Sequence, residues 1–144
     1  MWNKDQLFID IAKLFAKQST CISKQVGGVL IKDDRIIYSG YNGVPSGHQH
    51  CNQTFGPGFN REQHHLWSND HELHCEQNII SGCAKKGIIT DKAELYITLS
   101  PCVACAKIII AAGITKVIFL ERYDKKDGLE FLEKNNVYCD KIKE

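Results

Sequence analysis

The chain has 144 residues, 43% of them hydrophobic and 24% charged, a balance typical of a folded globular protein and too apolar for a disordered one. Eighteen lysine and arginine residues against seventeen aspartate and glutamate residues give a net charge of +1, which argues against binding to long nucleic acid. No apolar run approaches the roughly 18 residues of a membrane span. We expect one domain over residues 1–144, in the cytoplasm, whose seven cysteines are metal ligands and free thiols.

The first predicted elements are a helix and a β-hairpin. Residues 3–18 carry apolar side chains at helical spacing, which predicts an amphipathic helix. Its buried stripe is expected to consist of Leu7, Ile11, Leu14 and Phe15. Two β-rich runs, residues 26–31 and 36–41, flank a polar turn at 32–35 and predict two antiparallel strands.

A long segment from Asn42 to about Asp70 has no periodic pattern and predicts an irregular loop. In a small domain, a loop of this length usually has a function or a cross-link. All six histidines lie in this loop or at its end, together with Cys51. This supply of ligands favours a metal site, and free buried thiols beside solvated histidines are the alternative.

Helices and strands alternate in the second half of the chain. A face formed by Ile79, Ile80, Cys83 and Ala84 predicts a helix over about residues 74–86, ended by Gly87. The later elements are predicted as a strand at 95–99, a helix at 102–112, a strand at 116–120, a helix at 128–135 and a strand at 137–139. Alternation of this kind implies right-handed crossovers, and hence an α/β fold with a five-stranded mixed sheet and helices on both faces.

Two short motifs carry the predicted chemistry. The segment PCVAC, at a strand-to-helix junction with proline expected at the first helical position, places Cys102 and Cys105 on one helix face. Upstream, His74 and Glu76 open the preceding helix. H-x-E followed by P-C-x-x-C is the pattern of zinc nucleobase deaminases, in which the histidine and two cysteines bind zinc and the glutamate moves protons. Three protein ligands leave a fourth position free, as in a catalytic zinc site.

Other interpretations of these motifs stay open. A C-x-x-C pair is also found in thioredoxin-like redox centres, although that interpretation leaves His74 and Glu76 without a role. In a closed structural zinc site, Glu76 would be only a solvated acid in the first helical turn. Residues two apart on a helix point roughly 200° apart, so Glu76 reaches a metal held by His74 only at the helix mouth.

Four segments together resemble deoxycytidylate (dCMP) deaminases. They are residues 21–28, 35–47 (RIIYSGYNGVPSG), 74–78 (HCEQN) and 95–105 (LYITLSPCVAC). The resemblance implies a three-layer αβα, cytidine-deaminase-like fold and hydrolysis of dCMP to dUMP and ammonia, which would supply dUMP for thymidylate synthesis. It also implies a catalytic zinc on His74, Cys102 and Cys105, with Glu76 as the proton shuttle.

The same resemblance implies residues that bind the nucleotide. Asn42, in the loop at residues 40–43, is expected to hydrogen-bond the sugar or the phosphate, and Tyr123 matches a family position near the nucleotide. Lys24 is a candidate cation for the phosphate. A plain turn is the alternative for this loop, because Asn-Gly is a common turn signal.

Further family features concern a second metal and assembly. Some dCMP deaminases hold a structural zinc, whose ligands in this chain would be Cys21, Cys51, His64 and Glu72. Family members are commonly hexamers activated by dCTP and inhibited by dTTP. The resemblance therefore implies a homo-oligomer, hexameric or dimeric, with an effector-capable segment at residues 40–47, in the cytoplasm of the host if the protein is viral.

Two alternative functions share the zinc motif. Another deaminase could act on cytidine, cytosine, guanine or a tRNA adenosine, although near-neutral charge argues against tRNA. A non-catalytic zinc-binding module of the competence type would tolerate the loss of Glu76. Because this chain retains Glu76, we expect an enzyme.

Overall fold

The computed structural model describes residues 3–144. The helices are α1 (Lys4–Ala16), α2 (Cys51–Thr54), α3 (Arg61–His71), α4 (Cys75–Lys86), α5 (Val103–Ala111) and α6 (Asp127–Lys134). The strands are β1 (Gly27–Lys32), β2 (Arg35–Tyr41), β3 (Glu94–Leu99), β4 (Lys116–Glu121) and β5 (Tyr138–Lys141). They form one sheet in the order β2-β1-β3-β4-β5, antiparallel on both sides of β1 and parallel from β3 to β5. This topology confirms the predicted five-stranded mixed sheet.

Helices cover both faces of the sheet. On one face α1 packs against β1 and β3, and its core consists of Phe8, Ile9, Val29, Ile31, Tyr96 and Ile118. On the other face α4, α5 and α6 enclose a larger core that includes Ile79, Leu95, Ile109, Phe119 and Leu132. The three-layer α/β/α arrangement is therefore also confirmed. Within residues 3–144, no helix combines the length and the apolarity needed to cross a bilayer.

Most predicted elements are confirmed within two residues of their predicted ends. The hairpin turn is made by Asp33 and Asp34, whose φ angles of 52° and 62° are those of a two-residue type I′ turn. Helix α4 ends at Gly87, which has φ 71° and the left-handed conformation expected of a glycine cap. One predicted core position of α4 is wrong, because Ala84 is exposed.

The predicted buried stripe of α1 is also wrong in part. The residues of α1 that the structure buries are Phe8, Ile9 and Ala12. Leu7 and Leu14 are exposed, and Ile11 and Phe15 pack only at the margin of the core. The helix is therefore rotated about its axis relative to the orientation that its apolar pattern predicts.

Close contact between α1 and the sheet explains this rotation. Helix α1 lies directly over Gly27 of β1, where an added Cβ would collide with the backbone of Ala12 and Ala16. Only small residues on the helix allow such an approach, since larger side chains would hold the two backbones apart. The alanine side of α1 consequently faces the sheet, and the leucines at its edges turn outward.

The segment predicted as an irregular loop contains the two helices α2 and α3. Helix α3 begins after Asn60, whose side-chain oxygen accepts a hydrogen bond from Gln63 N at 3.0 Å. Its sequence, REQHHLWSNDH, has too few apolar residues to produce a helical stripe. The helix is instead held by its cap and by contacts of His64 and Trp67 with Phe55. The prediction of an unstructured loop is therefore wrong.

Candidate active site

The first group of candidate metal ligands lies where the sheet meets the amino ends of α4 and α5. His74 is the N-cap of α4 and has an extended backbone, with φ −67° and ψ 157°. Cys102 is the N-cap of α5, and Cys105 lies in the first turn of that helix. Pro101 therefore precedes the cap, and the prediction that it occupies the first helical position is wrong.

These three side chains converge on one point. The Nδ1 atom of His74 lies 3.3 Å from Cys105 Sγ and 3.6 Å from Cys102 Sγ. Ligand atoms around a tetrahedral zinc, with bonds of about 2.0–2.3 Å, are themselves about 3.3–3.8 Å apart. The spacing and the nitrogen and sulfur donors therefore suit zinc, with a fourth position left for another ligand.

Neighbouring contacts fix both junctions. The Gln77 side chain accepts a hydrogen bond from His74 N at 2.8 Å, which holds the turn that presents the imidazole. Helix α6 packs on the Pro101–Cys102 turn through Gly128, where an added Cβ would collide with the Pro101 carbonyl oxygen. Both junctions that present the candidate ligands are thus held by specific contacts.

Glu76 lies in the first turn of α4 and is only 5% exposed. Because His74 is a cap residue outside the helix, the two side chains are free to face the same cavity although they are two residues apart. Burial raises the pKa of the Glu76 carboxyl to about 7. Hydrogen bonds from Cys105 and His74 lower the pKa of Cys102 to about 3, so this group readily provides a thiolate.

A cavity of about 500 Å³ opens beside this group. Its walls include Glu76, His74 and Cys102 together with the predicted nucleotide-binding residues Lys24, Asn42 and Tyr123. The volume is within the usual range for a small-molecule site. The structure thus brings all three predicted nucleotide-binding residues to the same cavity as the metal-binding group.

The second predicted metal-binding group also comes together, on the same side of the molecule. Its members are Cys21, Cys51, His64 and Glu72. His64 Nε2 is central, at 3.1 Å from Cys51 Sγ and 3.7 Å from both Cys21 Sγ and Glu72 Oε1. All four donor atoms lie within 4.8 Å of one another. Four ligands of these types form a complete tetrahedral set, unlike the three of the first group.

The chemistry of the second group favours a bound cation. The Glu72 side chain is 4% exposed, and among residues 3–144 its Oε2 atom has no hydrogen-bond partner. A buried carboxylate oxygen without a partner is costly unless a positive charge is nearby. Burial likewise raises the pKa of the Cys21 thiol to about 11, so its thiolate also requires a cation.

Several cavity residues were not predicted from the sequence. Those on or beside α3 are Phe59, Arg61, His65, Ser68 and Asn69. Helix α3 was missed, and with it the polar face that these residues form. The Asn60 cap before Glu62 and Gln63 was the one local signal that could have revealed this helix. Ser100 was also missed, although it adjoins a recognised motif.

Known proteins share much of this sequence. Residues 2–121 match a family model described as the cytidine and deoxycytidylate deaminase zinc-binding region. The deoxycytidylate deaminase of Enterobacteria phage T2 is 33% identical over an alignment that covers 92% of this chain and 88% of that protein. ComE operon protein 2 of Bacillus subtilis is 39% identical over 125 residues, covering 85% of this chain and 60% of that protein.

Solved structures agree with the sequence comparisons. The crystal structure of dCMP deaminase from the cyanophage S-TIM5 in complex with dCMP and dUMP superimposes with a TM-score of 0.82 and 32% identity. The superposition covers 99% of both chains. The shared fold therefore includes the whole sheet and its helices. The chain therefore belongs to the family of the cytidine and deoxycytidylate deaminase zinc-binding region.

Proposed function

We propose that the protein catalyses the hydrolysis of dCMP to dUMP and ammonia. The observation that carries this proposal is the buried Glu76 carboxyl, which faces the same cavity as the three-ligand group of His74, Cys102 and Cys105. The choice of dCMP is supported by relatives named deoxycytidylate deaminase and by the similar phage enzyme in complex with dCMP and dUMP. The dUMP formed would serve thymidylate synthesis.

His74, Cys102 and Cys105 would hold zinc at the base of the cavity. Two thiolates and one imidazole are ligands that zinc prefers, and they leave one position open. Zinc held there would supply Lewis-acid chemistry to the attacking water. The support from α6 and from Gln77 keeps the ligands in place.

Glu76 would move both protons of the reaction. Its carboxylate takes one proton from the attacking water and passes it to the ring nitrogen N3 as the new bond to C4 forms. It then relays the second proton to the amino group, the bond from C4 to that nitrogen breaks, and ammonia leaves. Burial in the cavity keeps Glu76 away from bulk water and within reach of the substrate ring.

The part of the cavity lined by Lys24 and Tyr123 would bind the phosphate end of the nucleotide. The Lys24 ammonium and the Tyr123 ring lie together at the wall, with Lys24 Nζ 5.0 Å from the ring centroid. A lysine in this position supplies the charge that a 5′-phosphate requires. Arg61 adds positive charge at the α3 side of the cavity, and Asn42 forms part of the wall that carries Lys24.

A spectrophotometric assay tests this function. The purified, zinc-loaded protein is mixed separately with dCMP, CMP, deoxycytidine and dCTP, and the loss of cytosine absorbance is followed. We expect the highest kcat/KM with dCMP. Preference for deoxycytidine would point to a nucleoside deaminase, whereas bound zinc without turnover of any substrate would favour a non-catalytic module.

A second, structural zinc is part of the proposed enzyme. Cys21, Cys51, His64 and Glu72 would bind it, and the partnerless Glu72 Oε2 supports this assignment. Two of the four ligands are Cys21, in the segment after α1, and Cys51, at the start of α2. The other two are His64, in the first turn of α3, and Glu72, the C-cap of α3. A metal there would join these polar segments, which contribute little to either apolar core.

Assembly and control complete the proposal. We place the enzyme in the cytoplasm as a homo-oligomer, hexameric or dimeric, with dCTP as activator and dTTP as inhibitor. The support is family membership together with the Gly-rich segment at residues 40–47, which extends from the end of β2 past the cavity residue Asn42.

A further inference from the structure

The side-chain amide of Asn42 is bonded to the backbone of the segment that precedes β1. Its Oδ1 atom accepts a hydrogen bond from Val26 N at 2.8 Å. Its Nδ2 atom donates one to the Lys24 carbonyl oxygen, also at 2.8 Å. Short bonds at both ends of the amide fix the orientation of its plane. Asn42 therefore ties the end of β2 to residues 24 and 26.

The main chain of Asn42 strengthens the same connection. Its N–H donates to the Val26 carbonyl oxygen at 3.1 Å, and its carbonyl oxygen accepts from Ser19 Oγ at 2.9 Å. The Gln25 side chain in turn donates to the Ser19 carbonyl oxygen at 3.0 Å. The segment at residues 19–26 is thus folded around Asn42, and its path past the cavity depends on this residue.

This segment carries Lys24, whose ammonium group lies over the Tyr123 ring. Tyr123 is anchored separately, since its N–H donates to Ser100 Oγ at 2.7 Å and Ser100 is only 3% exposed. Lys24 and Tyr123 therefore reach the cavity on two different segments, each tied down through its main chain. Asn42 holds the main chain of Lys24, and Ser100 holds the main chain of Tyr123.

We propose that Asn42 is a positioning residue that acts on the nucleotide through Lys24. By holding the Lys24 main chain, it keeps the ammonium group beside Tyr123 at the cavity wall. This inference rests on the proposed function, in which Lys24 meets the phosphate. It differs from a direct role, in which the amide would bond the sugar or the phosphate and contribute independently of Lys24.

A double-mutant cycle separates the two roles. The variants are Asn42→Ala, Lys24→Met and the double variant, and kcat and KM for dCMP are measured for each. We expect Asn42→Ala to raise KM about 10-fold with little change in kcat, but to raise it less than about 2-fold when Lys24 is already methionine. Equal effects in both backgrounds would show that Asn42 binds the nucleotide by itself and would overturn the proposal.

The variant Asn42→Asp provides a second discrimination. Aspartate keeps an acceptor for Val26 N but replaces the donor to the Lys24 carbonyl with a charged oxygen, so the two acceptors repel each other. We expect Asn42→Asp to raise KM at least as much as Asn42→Ala. An acceptor that directly bonds a sugar hydroxyl would work as well in aspartate, and a near-normal KM would therefore contradict positioning through Lys24.

Asn78→Ala is the matched control. Asn78 also donates through Nδ2 to a backbone carbonyl, that of Tyr41, at 2.8 Å, but it is not among the cavity residues. It therefore tests whether loss of any asparagine bond near the end of β2 is sufficient to change KM. We expect the control to bind dCMP as the parent protein does, and an equal rise in KM would overturn the specific role of Asn42.

Hydrogen exchange tests the connection without any turnover. In Asn42→Ala the Val26 amide loses its acceptor, so we expect faster exchange in a peptide covering residues 22–27. The control variant should leave this peptide unchanged. A protein that does not deaminate dCMP would refute the proposed function, yet the exchange data would still report on Asn42. Unchanged exchange in Asn42→Ala would overturn this inference even in an active enzyme.

Discussion

Glu72 and His74 lie on either side of Leu73, and their side chains belong to two different groups of candidate metal ligands. Glu72 caps the end of α3, and His74 caps the beginning of α4. Leu73 pairs with Gly43 through two backbone hydrogen bonds of 2.8 and 3.1 Å. A three-residue segment pinned at its centre therefore connects the proposed structural zinc site to the proposed catalytic one.

The first prediction concerns the proton shuttle. Glu76→Gln keeps the volume of the side chain but removes its acid-base function, so we expect kcat to fall by about 100- to 10,000-fold. Zinc content should not change, because Glu76 lies outside the group of three ligand atoms. Activity is followed by absorbance and zinc by elemental analysis.

Cys102→Ala is the comparison for this variant, since it removes a ligand. It should lose both zinc from the first site and activity. Near-normal turnover by Glu76→Gln would rule out the proposed mechanism, whatever its zinc content.

The second prediction concerns the structural metal. The active protein should contain two zinc ions per chain, and Cys51→Ser should contain one. We expect Cys51→Ser to reduce the free energy of unfolding by about 3 kcal/mol. For a chain of this size, about 1 kcal/mol corresponds to roughly 3 °C, so Tm should fall by about 10 °C. The chemical step should change less than the stability, because a structural zinc contributes directly to folding and Cys51 itself does not line the cavity.

Cys83→Ser is the matched control for the loss of a buried thiol. Cys83 is fully buried in the larger core and belongs to neither metal-binding group. It should retain both zinc ions and lose less stability. One zinc per chain in fully active parent protein would contradict the second site.

The elements predictable from sequence are those in which local pattern and tertiary environment agree. The buried run LYITL formed β3, and the apolar face ended by Gly87 formed α4. His74 and Cys102 are helix caps and Cys105 lies in a first turn, close to the helix starts that the sequence pattern indicated. Their convergence follows from the sheet, because β2 and β3 are both antiparallel to β1 and end at the same edge. At that edge Gly43, just past β2, pairs with Leu73 beside His74, and Cys102 follows β3.

The features that could not be predicted depend on contacts distant in sequence. The buried face of α1 is decided by Gly27, which lies on a strand and not on the helix. Helix α3 has no apolar stripe, so its stability comes from a cap and from neighbours such as Phe55. The partners of Asn42 are 16 and 18 residues away, and the turn signal around Asn42 gives no information about them.

The third prediction tests the contact between α1 and the sheet. Gly27→Ala places a methyl group against the backbone of Ala12 and Ala16, so α1 must move outward. We expect a loss of about 1–3 kcal/mol in the free energy of unfolding, measured by urea denaturation.

Gly56→Ala is the control, because an added Cβ there meets no atom within 4 Å. Its stability should stay within about 0.5 kcal/mol of the parent protein. Equal stability of the two variants would show that α1 does not depend on this close approach.

The fourth prediction concerns assembly and control. An effector shifts the enzyme between states only if it binds them with different affinities. We expect dCTP with Mg²⁺ to lower the half-saturating dCMP concentration by about 5-fold or more, and dTTP to raise it. Light scattering at the assay concentration should give the mass of a hexamer or a dimer. Identical hyperbolic saturation curves with and without the effectors would eliminate regulation, and a monomeric mass would eliminate the assembly on which cooperative control depends.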